Sequence, residues 1–347
     1  MASSPSRSSC NVVSLRDALV RTQQLYSTSP IISAAIEVFL SKTRRLQHSD
    51  SRSGLSGFEL EYRELCRCIS NAPGYDLLLT PQTRARKAKN RYNNILPFEK
   101  TRVKLADLAD DYINANYIDG GYIACGAPVP AAIRDFWHMV WQCDVYVVLM
   151  LTKFVEQARL SADMYWDTHV DQAVDFDGVF VKLMAENEMP SSPSIVVREF
   201  KVWKVDDAGQ ESESRAIQHF QLTSWPDHGV LQNYRVVAQL LDSVNSYQHE
   251  ASRLHNVDAR VVVHCSAGVG RSGTFIAIDI LLKQLNRVLT ETINSEEERA
   301  QAIRHAMDIR RVVHRLRSQR PGMVQTPEQY RMIYQFLAAV VSVERPW

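Results

Sequence analysis

The chain has 347 residues, 45% hydrophobic and 23% charged, the composition of an ordinary soluble globular protein and not of a disordered or fibrous one. Forty Lys and Arg against thirty-nine Asp and Glu leave a formal charge of +1. No global field therefore exists to hold nucleic acid or an anionic membrane, and any anionic ligand must be held by a local site.

The length allows one large domain or two smaller ones, either able to bury most of its apolar surface without staples. Cysteines stand at 10, 66, 68, 125, 143 and 265 with no C-x-x-C, and no N-x-S/T sequon occurs, a pattern that favours a reducing, intracellular compartment. The longest apolar run, 145–151, is seven residues, against roughly 18 or more for a spanning helix. Ala2 stands where myristoylation needs glycine, the last residues form no prenylation box, and no secretory signal is present, so the expected location is cytoplasmic.

Residues 1–49 are Ser-rich and carry six basic side chains against Asp17 and Glu37, a bias shared by transit peptides and flexible tails; 1–14 read as a polar tail. Pro30 followed by Ile31, Ile32, Ala35, Ile36, Phe39 and Leu40 predicts a short helix with Pro near its start. Near its end, Lys42-Thr-Arg-Arg-Leu46 is similar to a kinase-docking stretch, although His48 stands where a second apolar residue would follow; a solvated helix end is the other reading. Residues 48–57 (HSDSRSGLSG) read as a linker, which divides the chain into an N-terminal extension, 1–57, and a main domain, 58–347.

Over 58–69 a helical stripe at 58, 62, 65 and 69 puts Cys66 and Cys68 on different faces; both are read as core thiols, as are Cys125 and Cys143. Strands are expected at 145–151, 196–205, 216–222 and 260–263, and helices at 131–142, 234–248, 273–289, 298–317 and 327–342. Strands interleaved with helices around continuous apolar runs predict an α/β or α+β domain with a mostly buried sheet.

The informative segment is Arg260-Val-Val-Val-His264-Cys265-Ser266-Ala267-Gly268-Val269-Gly270-Arg271-Ser272-Gly-Thr-Phe. A buried strand enters a short loop with two glycines, and a long apolar helix follows. Such a loop turns successive N–H groups inward, and the helix N-terminus adds the positive end of its dipole, so a phosphoryl dianion fits. Cys265 opens the loop, where the same field stabilises its thiolate and makes it a nucleophile at neutral pH. Arg271 can return across the loop and grip two phosphoryl oxygens with its planar fork. Cys10 and Arg16 repeat the bare spacing without strand or glycine, so the specificity lies in the surrounding pattern.

The run HCSAGVGRSGTF resembles the active-site signature of the protein tyrosine phosphatases, and the resemblance extends over about 58–342. Lys89-Asn-Arg-Tyr92 with Pro97-Phe98 resembles that family's phosphotyrosine-recognition loop, and Asp111-Tyr-Ile-Asn-Ala-Asn116 its next strand motif. Asp135-Phe-Trp-His-Met-Val-Trp141, Trp225-Pro-Asp227-His-Gly-Val230 and Gly322-Met-Val-Gln325-Thr-Pro-Glu-Gln-Tyr330 match further segments in the family's order, although Trp137 on its own reads as a core aromatic. The resemblance, to cysteine-based, tyrosine-specific, non-receptor members, implies a single catalytic domain with a twisted mixed central sheet flanked by helices.

It further implies that Cys265 forms a phosphocysteine, that Asp227 on a mobile lid is general acid and then base, and that Gln325 orients the attacking water. Ser272 would ease departure of the thiolate, His264 would tune the nucleophile, and Ser266, Ala267, Gly268, Val269 and Gly270 would form the phosphate cradle with Arg271. Tyr92 would wall a slot that phosphotyrosine reaches and phosphoserine does not, and Asn94 would bind substrate main chain where Asp is common. No metal or other cofactor is implied. The expected partners are phosphotyrosine-containing proteins, a kinase among them, and neither nucleic acid nor a membrane span.

The basic run Arg84, Arg86, Lys87, Lys89 and Arg91 is either an attractor of acidic phosphopeptides or a solvated face. Glu156 and Arg159 fit the loop that braces the active-site Arg, whereas Ser161 and Ala162 replace Lys-Cys, Asp167 follows Tyr165-Trp166 where Pro is common, Leu231 replaces a Pro after the lid, and Cys125-Gly-Ala-Pro128 differs from Gln-Gly-Pro. Two rivals to an active tyrosine phosphatase are a catalytically dead phosphotyrosine-binding module and a dual-specificity phosphatase; the joint presence of Cys265, Asp227 and Arg271 opposes the first, and Tyr92 the second.

Overall fold

The computed structural model describes residues 26–342 apart from Pro73, His228, Gln232 and Asn294, together with residues 20, 22 and 24. The polar tail read over 1–14, Cys10 and His228 of the lid motif lie outside the described residues.

Helix α1 (Pro30–Gln47) begins where Ser29 accepts the amide of Ile32 and Pro30 occupies a position with no hydrogen bond to lose. Its buried stripe, Ile32, Ala35, Ile36 and Phe39, enters the main core. Residues 48–57 form a hydrogen-bonded turn, with Ser49 bridged to Ser56, and return at once to α2 (Gly57–Ser70). Gly57 presses on α1 so closely that a Cβ would lie 2.8 Å from Leu46 Cα. A capping box of Ser56 and Glu59 starts α2, which buries Phe58, Tyr62 and Leu65. Cys66 is half-buried against this core, but Cys68 is exposed, so the reading of both as core thiols fails for Cys68: two residues along a helix rotate it about 200° away.

After the short α3 (Arg84–Ala88) come β1 (Arg102–Lys104), β2 (Tyr112–Ile118), β3 (Tyr122–Cys125), α4 (Ile133–Gln142) and β4 (Val145–Met150). A small hairpin, β5 (Val155–Glu156) and β6 (Arg159–Leu160), precedes β7 (Ala173–Asp175), β8 (Phe180–Met189), β9 (Ser192–Val205) and β10 (Glu211–Leu222). Then follow α5 (Tyr234–His255), β11 (Arg260–His264), α6 (Gly270–Thr290), α7 (Glu296–Ala306), α8 (Ile309–Gln319) and α9 (Pro327–Val341). Among the described residues no helix is long and apolar enough to cross a membrane.

Among the described residues the main sheet is nine-stranded, in the order β1-β2-β3-β11-β4-β10-β9-β8-β7. Its centre is parallel, β11 pairing with β3 and β4 and β10 with β4, and its outer pairs are antiparallel. The apolar runs of β4 and β11 reflect burial on both faces. Val261 and Val263 enter the core formed with α5 to α9, α1 and α2, whereas Val262 enters a second core beneath α4. All three are fully buried.

The single helix expected over 298–317 is two. Met307 closes α7, and Asp308 caps α8 by accepting the amide of Arg311, so each helix turns its own stripe inward: Ala300, Ile303 and Ala306, then Ile309, Val312, Val313 and Leu316. The strand expected at 216–222 is the buried half of β10, whose outer residues are polar and exposed.

Candidate active site

The site grows from the carboxyl end of β11. His264 O accepts from Leu151 N (2.8 Å), Cys265 O from the His264 ring (3.1 Å) and Ser266 O from Ala127 N (3.0 Å). Ala267 O and Gly268 O both accept from Arg320 (3.2 and 2.9 Å), Val269 O from Val324 N and Gly273 N (3.0 Å each), and Gly270 O from Thr274 Oγ1 (2.9 Å). Every carbonyl from His264 to Gly270 is thus bound on the outside of the loop, which leaves the amides to face inward. Gly268 makes the curl possible: its φ is +71°, and an added Cβ would lie 1.9 Å from Cys125 O.

The inward amides gather on sulfur. Gly268 N donates to Cys265 Sγ at 3.3 Å. Burial by itself would raise the Cys265 thiol, but the Arg271 guanidinium, the Ser272 hydroxyl and the amides of Ser272 and Val269 outweigh it and hold the thiol below its ordinary value. The Ser272 hydroxyl is buried and, among the described residues, lacks a hydrogen bond of full geometry. Cys265 is only 4% exposed, so reagents reach it through the cavity above it.

Arg271 is held in one orientation. Glu156 accepts from both of its terminal nitrogens (2.7 and 2.8 Å), Trp225 O from Nη1 (3.0 Å) and Thr152 Oγ1 from Nη2 (3.3 Å). Despite burial, the guanidinium beside it holds the Glu156 carboxyl below its ordinary range. Arg159 is exposed on the hairpin and does not reach Arg271, so Glu156 braces it alone of the expected pair. Asp227 also lies against Arg271, Oδ1 to Nη2 3.1 Å. Its turn is tightened by Trp225 Nε1 donating to Gly229 O (3.1 Å), with Trp225 and Leu231 anchored in the core.

An open cavity of about 230 Å³ over the sulfur is lined by Tyr92, Asn94, Asp227, Ser266, Ala267, Gly270, Arg271, Gln325 and Gln329. Tyr92 is half-exposed and shares a hydrogen bond with Ser266 Oγ at 2.9 Å. Asn94 is exposed at the rim. Gly268, Val269, Ser272 and His264 do not line the cavity, and all four are buried within the fold. Among the described residues no group of three or more His, Cys, Asp or Glu side chains is placed to hold a metal ion.

His264 stands at the end of a buried chain. Its burial, aided by Arg91 and Arg271, lowers it to about 4, so the ring is neutral at pH 7. Because Cys265 O can only accept, Nδ1 of His264 carries the proton, and Nε2 accepts from Tyr165 OH at 2.8 Å. The Tyr165 hydroxyl in turn accepts from His219 Nε2 at 2.8 Å, and Arg198 Nη1 approaches His219 Nδ1 at 3.4 Å.

The basic run is neither a solvated face nor a free attractor as a whole. Arg86 pairs with Asp110 and Asp111, Lys89 with Asp110 and Asp135, and Arg91 with Asp163, so only Arg84 and Lys87 face solvent. Lys42 and Leu46 of the docking-like stretch are likewise committed: Lys42 pairs with Glu61 at 2.9 Å, and Leu46 packs on the core. Cys125, Cys143 and Trp137 are buried as expected.

Sequence reasoning overlooked Arg320, Gln329, Tyr165 and His219. Arg320 is fully buried, and burial lowers it only to about 10, so it stays charged while binding two loop carbonyls and Asn116 Oδ1 (2.9 Å). An arginine seldom goes inside, and nothing local marks this one. Gln329 did carry a signal: Thr326 and Gln329 have capping-box spacing, and Gln329 Oε1 accepts the amide of Gln325 at 2.9 Å.

The family model described as protein-tyrosine phosphatase matches residues 86–339. The receptor-type tyrosine-protein phosphatase eta of Gallus gallus is 36% identical over 307 residues, covering 86% of this chain and 19% of the relative. The human protein of that name is also 36% identical over 307 residues, covering 86% of this chain and 20% of its own length. Tyrosine-protein phosphatase 3 of Dictyostelium discoideum is 35% identical over 264 residues, covering 73% and 25%. The chain spans about a fifth of the length of the first of these curated relatives. A loop with its carbonyls bound outward, a lowered thiol and a braced arginine thus lie within a match over most of the sequence, and the chain belongs to the protein-tyrosine phosphatase family.

Proposed function

We propose that this chain hydrolyses phosphotyrosine in proteins through a phosphocysteine on Cys265. The observation that carries the proposal is the convergence on one cavity of a lowered thiol, a braced Arg271 and the Asp227 carboxylate. The Cys265 thiolate attacks phosphorus; the S–P bond forms, the P–O bond to tyrosine breaks, and the departing oxygen takes the proton of Asp227, which enters this step as the carboxylic acid and leaves it as the carboxylate. Arg271 and the loop amides of residues 266–271 hold the phosphoryl oxygens through both steps. Water then attacks with Gln325 orienting it and Asp227 taking its proton; the new O–P bond replaces S–P, and Ser272 eases release of the thiolate.

Phosphate arriving at Arg271 competes with Asp227 for the same guanidinium, which frees the carboxylate for its proton transfers. The Tyr92 wall supports phosphotyrosine over the shorter phosphoserine, and the neutral Asn94 at the rim supports a looser hold on substrate main chain than a carboxylate would give. The catalytic unit proposed is 58–347, with 1–57 as an extension whose helix docks on it. A reducing cytoplasmic setting suits a thiolate nucleophile, and the five described cysteines are all free.

The test is release of phosphate from a phosphotyrosine peptide and from p-nitrophenyl phosphate in excess chelator. Cys265→Ser should abolish both while retaining peptide binding. Asp227→Ala should slow the peptide by about 10²- to 10⁴-fold and the better leaving group less. Undiminished turnover by Cys265→Ser would end the covalent mechanism.

A further inference from the structure

The turn that presents Gln325 contains a β-branched residue in backbone territory that favours glycine. Val324 has a φ of 59° and is fully buried. A branched residue is a genuine outlier there, and such strain persists only where the surroundings over-determine it. Three contacts do so. Val324 N donates to Val269 O of the cradle at 3.0 Å, while Val324 O accepts from Tyr62 OH (3.0 Å) and from Arg317 Nη2 (2.8 Å). Arg317 also donates to Tyr62 OH at 2.8 Å and through Nε to Met323 O at 2.9 Å, which ties the clamp together.

The turn has little freedom to relax the other way, because a Cβ at Gly273 would already lie 2.4 Å from Val324 N. The next residue, Gln325, lines the cavity over Cys265, whereas neither Tyr62 nor Arg317 does. Tyr62 lies on α2, ahead of residues 86–339 that match the family model.

We infer that Tyr62 and Arg317 are positioning residues for the second chemical step, holding the strained Val324 so that Gln325 stays aimed at the water that attacks phosphocysteine. The inference rests on the roles proposed above for Cys265 and Gln325. Since Gln325 acts after the leaving group has gone, loosening its support should spare formation of the phosphoenzyme and slow its decay. In steady state kcat and KM should then fall together, with kcat/KM retained.

The experiment is rapid-quench kinetics with p-nitrophenyl phosphate on the whole chain, reading the nitrophenolate burst for formation and loss of phosphocysteine for hydrolysis. Tyr62→Phe, which keeps the ring, and Arg317→Gln should slow hydrolysis about 3- to 30-fold, since each loosens the clamp by removing two or more of its hydrogen bonds. The burst should keep its amplitude, which counts folded sites, and its rate within about twofold. Val324→Gly removes the strain, so the Tyr62→Phe change should slow hydrolysis less in that background than in the wild type. Wild-type decay in Tyr62→Phe, equal slowing of burst and decay, or an undiminished effect in Val324→Gly would each overturn the inference. Absence of any phosphocysteine in the wild-type protein would instead overturn the mechanism on which it rests.

Discussion

Gly268 has room for a hydrogen atom and nothing larger. Its left-handed backbone and the 1.9 Å approach of a Cβ to Cys125 O leave a methyl group no place unless β3 moves away from the loop. Gly268→Ala should therefore lose turnover and lower the thermal midpoint together; a variant with wild-type values of both would show that the strand yields. Cys265 supplies a second expectation. Burial opposes its ionisation, yet Arg271, the Ser272 hydroxyl and the loop amides more than compensate, so thiolate persists below the pH at which an ordinary thiol is protonated. The rate of alkylation by iodoacetamide, followed against pH, should have its midpoint below the roughly 8.5 of a free cysteine. Activity that needs thiolate falls as pH drops through that lowered value, and Arg271→Gln should move the midpoint upward. A midpoint that does not move would remove Arg271 from the account of the thiol.

The small hairpin β5–β6 shows what an element contributes that its residues do not announce. Glu156, which braces Arg271, ends β5, and the two residues that turn the chain, Gln157 and Ala158, have φ of 48° and 60°. Two consecutive left-handed residues make the tight turn that Asn-Gly or Asp-Gly normally signals, and Gln-Ala carries no such signal. Ala158→Gly should relieve the conformation and raise stability by on the order of 1 kcal/mol, less the extra freedom glycine gives the unfolded chain. Turnover should be unchanged, because the backbone holding Glu156 stays put; a lower denaturation midpoint would show that the turn is not strained. The junction of α7 and α8 teaches the same lesson. Met307-Asp308 lacks glycine and proline, so periodicity alone runs through it, and only the Asp308 cap and the separate stripes reveal two helices.

At the scale of the molecule, two apolar cores clamp the sheet, and the price of placing the cradle between them is a pair of buried neutral histidines. Burial lowers His264 to about 4 and pushes His219 well below the usual histidine value, with Arg198 and the neighbouring His264 adding to the effect on His219. Between about pH 6.5 and 4 the unfolded chain binds protons that the folded chain refuses, so stability falls as pH drops through that window. His264 alone should contribute on the order of 3 kcal/mol across it. Denaturant midpoints measured from pH 7 down to about 5, above the range of ordinary carboxylates, should decline, and His219→Gln should flatten the decline. A flat profile in the wild type would mean that these rings protonate in the fold.

The cradle, its thiol and its arginine were legible from residues 260–275 alone, because strand, loop and helix are contiguous and the field they make comes from the backbone itself. The order of motifs over 58–342 likewise identified the family before any contact was known. What closes the site was less legible: Glu156, 115 residues from Arg271 along the chain, could be read as its brace only through the family resemblance, and Tyr62, 262 residues from Val324, not at all. Such pairs are set by strand order and helix packing, and a buried Arg320 or a strained Val324 has no local pattern to betray it. Backbone chemistry made the binding loop, and long-range packing alone decided which side chains hold it still.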